Sequence, residues 1–183
     1  FIRENMNIQN RKNMKNKRSN RSTNGKNTEF YIVYTVVFLL IALFLYLRFY
    51  LNGKSLVWSH DGVPQHLNSL SYYGRYLRGI LYTIFVEHRF SIPMWDLHIG
   101  YGSDILTTLN YYVIGDPLTL LAVFCPSSKT EILYEFLIFL RIYLAGIAFS
   151  RYCFYHKNSR QATFMGCMIY IFAGWTIYAA MKH

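Results

Sequence analysis

Two long apolar runs and one interrupted one set the frame of this chain. Phe30 to Leu51 carries a single charge, Arg48, near its end, where a long side chain reaches the membrane interface. The run is long enough as a helix to cross a hydrocarbon core of ~30 Å at ~1.5 Å per residue. It is too long for a cleaved signal peptide, and no small-residue cleavage site follows it. Ile132 to Tyr155 is the second such run, with Glu135 near one end and Arg141 in its body. Ionisable groups in a span are costly, so both are expected to face protein or water. Ala162 to Met181 is the third, with Tyr170, Gly174 and Tyr178 at helical spacing, read as a close-packing seam.

Between the first two runs lies a long stretch of mixed character, residues 52–131. From Gln65 to Phe90, Leu67, Leu70, Tyr73, Leu77, Ile80, Leu81 and Ile84 recur at three- and four-residue steps, with Asn68, Ser71, Arg75 and Arg78 largely between them. This predicts an amphipathic helix. It fits a helix lying in the membrane interface with its arginines at headgroup level, and equally one packed on its own bundle. Ser91-Ile92-Pro93 is the expected stop, Met94-Trp95 an interfacial anchor, and Gly100-Tyr101-Gly102 a tight turn. Ile105 to Cys125 is apolar on average but broken by Asn110, Gly115, Asp116 and Pro117. If it crossed the membrane, Arg151, Lys157 and Arg160 would lie outside, against the positive-inside bias. An interfacial or re-entrant segment is therefore expected.

Charge settles orientation. The formal net charge is +10, but residues 1–29 hold eight of the 19 Lys and Arg. These residues are rich in Asn, Lys, Arg and Ser, lack apolar periodicity, and are expected to form a disordered tail. A basic run directly before an apolar stretch marks the cytoplasmic flank of a membrane helix rather than a nucleic-acid arm. The expected organisation is a cytoplasmic tail 1–29, spans 30–51, 132–155 and 162–181, an extracellular loop 52–131 and a cytoplasmic turn 156–161. The fold class is an all-α integral membrane protein, a polytopic helical bundle. The start at Phe1 and the stop just after an apolar run suggest a fragment of a longer protein. Cys125, Cys153 and Cys167 have no ligand-type spacing and read as small apolar residues.

The sequence contains no phosphate-binding loop, nucleophile elbow or zincin motif. His60 and His66 flank Asp61 without a second cluster, so a divalent metal is not expected. Two readings fit Asp61. It is the N-cap of the helix that follows, with Pro64 in the first turn. Alternatively it is a general base just outside the first span, with Gln65 one turn on.

Six segments together resemble the bacterial YfhO-like membrane proteins, which group with GT-C-type, polyprenyl-phosphate-dependent glycosyltransferases. They are HDGVPQHL (His60–Leu67), YYGRYLRG (Tyr72–Gly79), SIPMWDLHIGYGSD (Ser91–Asp104), YYVIGDPLTLL (Tyr111–Leu121), Leu144–Cys153 and YIFAG (Tyr170–Gly174). The resemblance covers about Phe30 to His183. It implies a multi-spanning GT-C fold in a bacterial plasma membrane, with the active site in the first outer loop. It implies transfer of sugar from a polyprenyl-phosphate donor to a cell-envelope glycan acceptor such as a teichoic acid. Asp61 matches the first-loop catalytic aspartate; Asp104 and Asp116 match less diagnostic positions. Gln65 and His66 would orient donor or acceptor, Arg75 or Arg78 would neutralise a lipid phosphate, and Trp95 would line the substrate site. A non-catalytic protein that binds or exports envelope polymer, and a secondary transporter, remain alternatives.

Overall fold

The computed structural model describes residues 28–182 of the 183-residue chain; the expected tail up to residue 27 lies outside the described residues. Helix α1 (Thr28–Leu51) and the helix ending at Tyr155 are long and apolar enough to cross a membrane. Helix α2 (Asn68–Phe85) is entered through a π-helical turn, Gly62–Leu67. A two-residue ribbon, β1 (Trp95–Asp96) antiparallel to β2 (Ser103–Asp104), leads into α3 (Ile105–Leu109) and a π-helical turn, Asn110–Ile114. Two 3-10 segments, Pro117–Phe124 and Ser127–Lys129, precede α4 (Thr130–Tyr155). Helices α5 (Arg160–Ile171) and α6 (Gly174–Lys182) complete the described chain.

Helices α1 and α4 run antiparallel. The Tyr34 hydroxyl donates to the Tyr143 carbonyl at 2.9 Å, and the Tyr46 hydroxyl to Glu135 at 3.2 Å. Glu135 is buried and does more than face inward. It also accepts from the Ser55 hydroxyl and the Leu56 amide, so it straps the chain leaving α1 onto α4. Phe30 meets both Phe154 and Phe164, bringing one end of α1, α4 and α5 together. At the other end of α4, the Tyr134 hydroxyl donates to the Met181 carbonyl at 2.7 Å.

The third apolar run is therefore not one straight helix. Its two halves are bent by 52° at Phe172-Ala173, yet together they run the length of α4. The Thr176 hydroxyl donates to the Tyr170 carbonyl, one of those freed at the break. This corrects the expected seam. Tyr170, Gly174 and Tyr178 do not share a helix face, and a Cβ at Gly174 would meet no described atom within 4 Å. The close approach is made by Gly146 on α4 instead. A Cβ there would land on the Tyr34 hydroxyl and 2.9 Å from Ile171 Cγ2. Gly146→Val should lower the thermal stability of the detergent-purified protein by about 1–3 kcal/mol through overpacking. An unchanged melting temperature would show that the three helices are not packed this tightly.

The expected amphipathic helix exists with different ends. It begins at Gly62 rather than Gln65, and stops at Phe85 before reaching Ser91-Ile92-Pro93. His88 takes a left-handed conformation (φ 51°) and the Arg89 amide bonds the Thr83 carbonyl, so the chain has turned before the proline. Its apolar stripe divides. Leu70 and Tyr73 are buried, and Gly74 lets α2 press on the Pro117–Phe124 segment, where a Cβ would sit 2.7 Å from the Ala122 carbonyl oxygen. Leu81, Tyr82 and Phe85, further along, stay exposed.

Ile105 to Cys125 forms no helix of spanning length among the described residues. Its Asp116 bonds Arg141 of α4. Arg141 lies ten residues from both Glu131 and Arg151, the nearest charged residues beyond Glu135 on either side. That is about 15 Å from each along the helix. The segment thus reaches the middle of α4 without forming one continuous helix.

Candidate functional site

The turn after α1 brings Asp61 to the helix start, in the N-cap position. Its backbone carbonyl accepts from Gln65 and His66, but its carboxylate makes no capping bond. That carboxylate is instead bonded by the side-chain amide of Gln65 at 3.4 Å. Gln65 in turn accepts from the Tyr112 hydroxyl at 3.0 Å. A π-helical turn on each side sets up this chain, one preceded by Asp61 and bearing Gln65, the other bearing Tyr112. Such widened turns recur at functional sites because they re-aim a side chain. His66 is buried, with its ring 5.1 Å from Tyr112 and 6.1 Å from Tyr111, so it packs under the pair rather than lining open space. Exposed His60 stacks on Trp58 beside Asp61.

Arg75 and Arg78 do not join this centre. They follow Asp61 by fourteen and seventeen residues on one continuous helix, roughly 20–25 Å along its axis. Arg78 is occupied elsewhere. Its Nη1 donates to the carbonyls of Ala122, Cys125 and, more weakly, Val123, which the 3-10 segment leaves without helical partners. That nitrogen is committed to the segment, while Nη2 has, among the described residues, only the Ser127 hydroxyl at 3.5 Å. Arg75 is exposed and bonds no described residue.

Two further aspartates read from sequence as substrate contacts serve structure. Asp104 caps α3, accepting from the Thr107 amide at 2.6 Å, and that bond holds its carboxyl below the usual carboxylate range. Asp116 caps the Pro117–Phe124 segment through the Leu118 amide and pairs with Arg141 at 2.7 Å.

A second polar centre holds two residues read from sequence as substrate contacts, Arg75 and Trp95, beside three that were not singled out, Tyr72, Tyr76 and Asp96. It lies between α2 and the β1–β2 hairpin, around a cavity of about 390 Å³ lined by Tyr72, Arg75, Tyr76, Trp95 and Asp96 among others. Asp96 accepts from the Tyr72 hydroxyl at 2.5 Å and from both the backbone amide and Nδ1 of His98 at 2.8 Å. The Tyr72 bond first, then those from His98, hold its carboxyl down at about 2, so it is charged at any ordinary pH. Burial, then the Asp96 carboxylate, push the Tyr72 hydroxyl up, so it remains a donor. The sequence signal was available: an acid next to an exposed tryptophan, with a histidine two residues on in a Gly-bounded turn.

These features define a helical membrane protein whose polar chemistry is gathered between its first two spanning helices. The chain matches the family described as "Bacterial membrane protein YfhO" over residues 33–183, and it belongs to that family. No curated protein and no solved structure matches it.

Proposed function

We propose that this chain belongs to a multi-pass, GT-C-type glycosyltransferase of the bacterial plasma membrane. It transfers a sugar from a polyprenyl-phosphate donor to an extracytoplasmic acceptor such as a teichoic acid or lipid-linked glycan. Asp61 is the general base on the acceptor hydroxyl. Gln65 orients it and Tyr112 holds Gln65. The observation that carries this reading is that Asp61 occupies an N-cap position without capping. A carboxylate spared from that task, and fixed by a side-chain relay, is available to take a proton. No divalent metal enters this scheme. The test is sugar transfer by the full-length protein carrying Asp61→Asn.

The same reading sets the topology. The basic N-terminal residues and the turn His156–Ser159 are cytoplasmic, and residues 52–129 are outside, with the exposed end of α2 at headgroup level. A single cysteine placed at exposed Ser127, in a background without the three native cysteines, should react with an impermeant maleimide added to intact cells. Reaction only after the cytoplasmic face is opened would invert the assignment.

One observation favours a transporter: the broken α5–α6 pair, since discontinuous helices build transport sites. At this break, however, Thr176 already satisfies the Tyr170 carbonyl.

A further inference from the structure

The α2–hairpin cavity sits far from Asp61. Tyr72 and Arg75 follow Asp61 by eleven and fourteen residues on the same helix, about 15–20 Å away. That is too far for one sugar ring to touch both places. The cavity is nevertheless built as a binding cleft. One wall is the Trp95 indole, which rests against Gly102. A Cβ at Gly102 would lie 3.2 Å from Trp95 Nε1, and the φ of +107° there suits only glycine. The rest of the indole is open, with Trp95 61% exposed. Tyr72 and Tyr76 also line it, stacked at 6.4 Å and held by bonds to Asp96 and the Pro93 carbonyl. Arg75 brings five donors, and neither it nor the indole N–H bonds any described residue. Asp96 has about four acceptor directions and three are taken by Tyr72 and His98.

Charge decides what fits. The Asp96 carboxylate, with Asp104 close enough to act on Tyr76, opposes a phosphate or other anion beside Arg75. The Arg75 guanidinium opposes a quaternary ammonium, for which three aromatic rings would otherwise be suited. What remains is a neutral ligand with an apolar face and many hydroxyls. A pyranose ring has both: its C–H face lies on the negative face of an indole, and its hydroxyls bridge an acceptor and a donor.

We infer that the cleft between α2 and the β1–β2 hairpin is a saccharide subsite, separate from the Asp61 centre, in which Trp95 stacks on a neutral sugar ring while Arg75 and Asp96 bind its hydroxyls. It takes a sugar unit of a longer glycan remote from the reacting bond. The subsite draws its biological meaning from the glycosyltransferase reading, but its binding chemistry does not require Asp61 to be a base.

The test is saturation-transfer NMR on the full chain in sugar-free detergent micelles. The probes are the methyl glycosides of glucose, galactose and N-acetylglucosamine, with choline and glycerol 1-phosphate alongside. At least one glycoside should receive saturation. Trp95→Ala should abolish it, and Arg75→Gln, a change on the exposed helix surface that leaves the hairpin intact, should weaken binding about tenfold. Asp61→Asn should bind as the parent does, so loss of transfer in that variant and loss of the cleft are read apart. Saturation of no glycoside, of choline or glycerol 1-phosphate alone, or of a glycoside equally in parent and Arg75→Gln would overturn the assignment.

Discussion

Arg141→Ala and Asp116→Ala should each cost the protein about 3–5 kcal/mol, enough to remove most folded material from the membrane. Arg141 Nε and Nη2 both donate to one oxygen of Asp116, at 2.9 and 2.7 Å, and the other oxygen is held by the Leu118 amide. The two side chains are largely buried, at 17% and 27% exposure. Losing either partner strands a charge near the middle of α4, where water is scarce and a lone guanidinium costs at least ~2.5 kcal/mol on insertion scales. The pair also anchors the Ile105–Cys125 segment on α4, so the loss spreads to the Pro117–Phe124 turn and to Arg78, which caps it. Replacing both partners, as Asp116→Asn with Arg141→Met, removes the charges together and keeps a capping oxygen at 116. That double variant should recover most of the stability, because a buried pair exchanged for groups of similar shape is often neutral. Thermal unfolding in detergent and protein level in membranes measure both effects. Single variants as stable as the parent would show that the pair lies in water.

The same pair explains which parts of the fold the sequence discloses. The starts of α1 and α4 fall within two residues of the apolar runs that predict them, and their ends coincide, because length and apolarity alone define a span. Ile105–Cys125 resists such reading because its decisive residue, Asp116, has its partner 25 positions on. Arg78 misleads for a related reason. Its spacing marks a polar helix face, but its partners are backbone carbonyls, which carry no sequence signature. The break at Phe172-Ala173 contains no proline, so hydropathy runs straight through it. At the candidate site, Asp61 and Gln65 were legible as neighbours one turn apart. Tyr112, 47 residues away from Gln65, was visible only as half of a Tyr-Tyr pair. Asp96 was passed over because Trp95 beside it had already been given a role at the interface.

Asp61→Asn in the full-length protein should leave expression and folding intact and reduce sugar transfer by about 10²–10⁴-fold. Asparagine keeps the shape, and its carbonyl oxygen still accepts from the Gln65 amide, so the Asp61–Gln65–Tyr112 chain survives. What it loses is the ability to take a proton from an acceptor hydroxyl. Capping cannot account for a defect, because the Asp61 carboxylate makes no capping bond and asparagine caps as well as aspartate. Tyr112→Phe supplies a graded comparison. It removes the hydroxyl that fixes Gln65 but leaves the ring against His66, so the base is present but less firmly aimed. Transfer should fall about tenfold, the effect of losing one hydrogen bond of about 1 kcal/mol or slightly more. The order of effects carries the argument: a large loss at Asp61, a small one at Tyr112, and no more than about 1 kcal/mol of stability lost in either. Transfer at the parent rate in Asp61→Asn would remove the base from this site and leave the Gln65–Tyr112 contact as a tie between two π-helical turns.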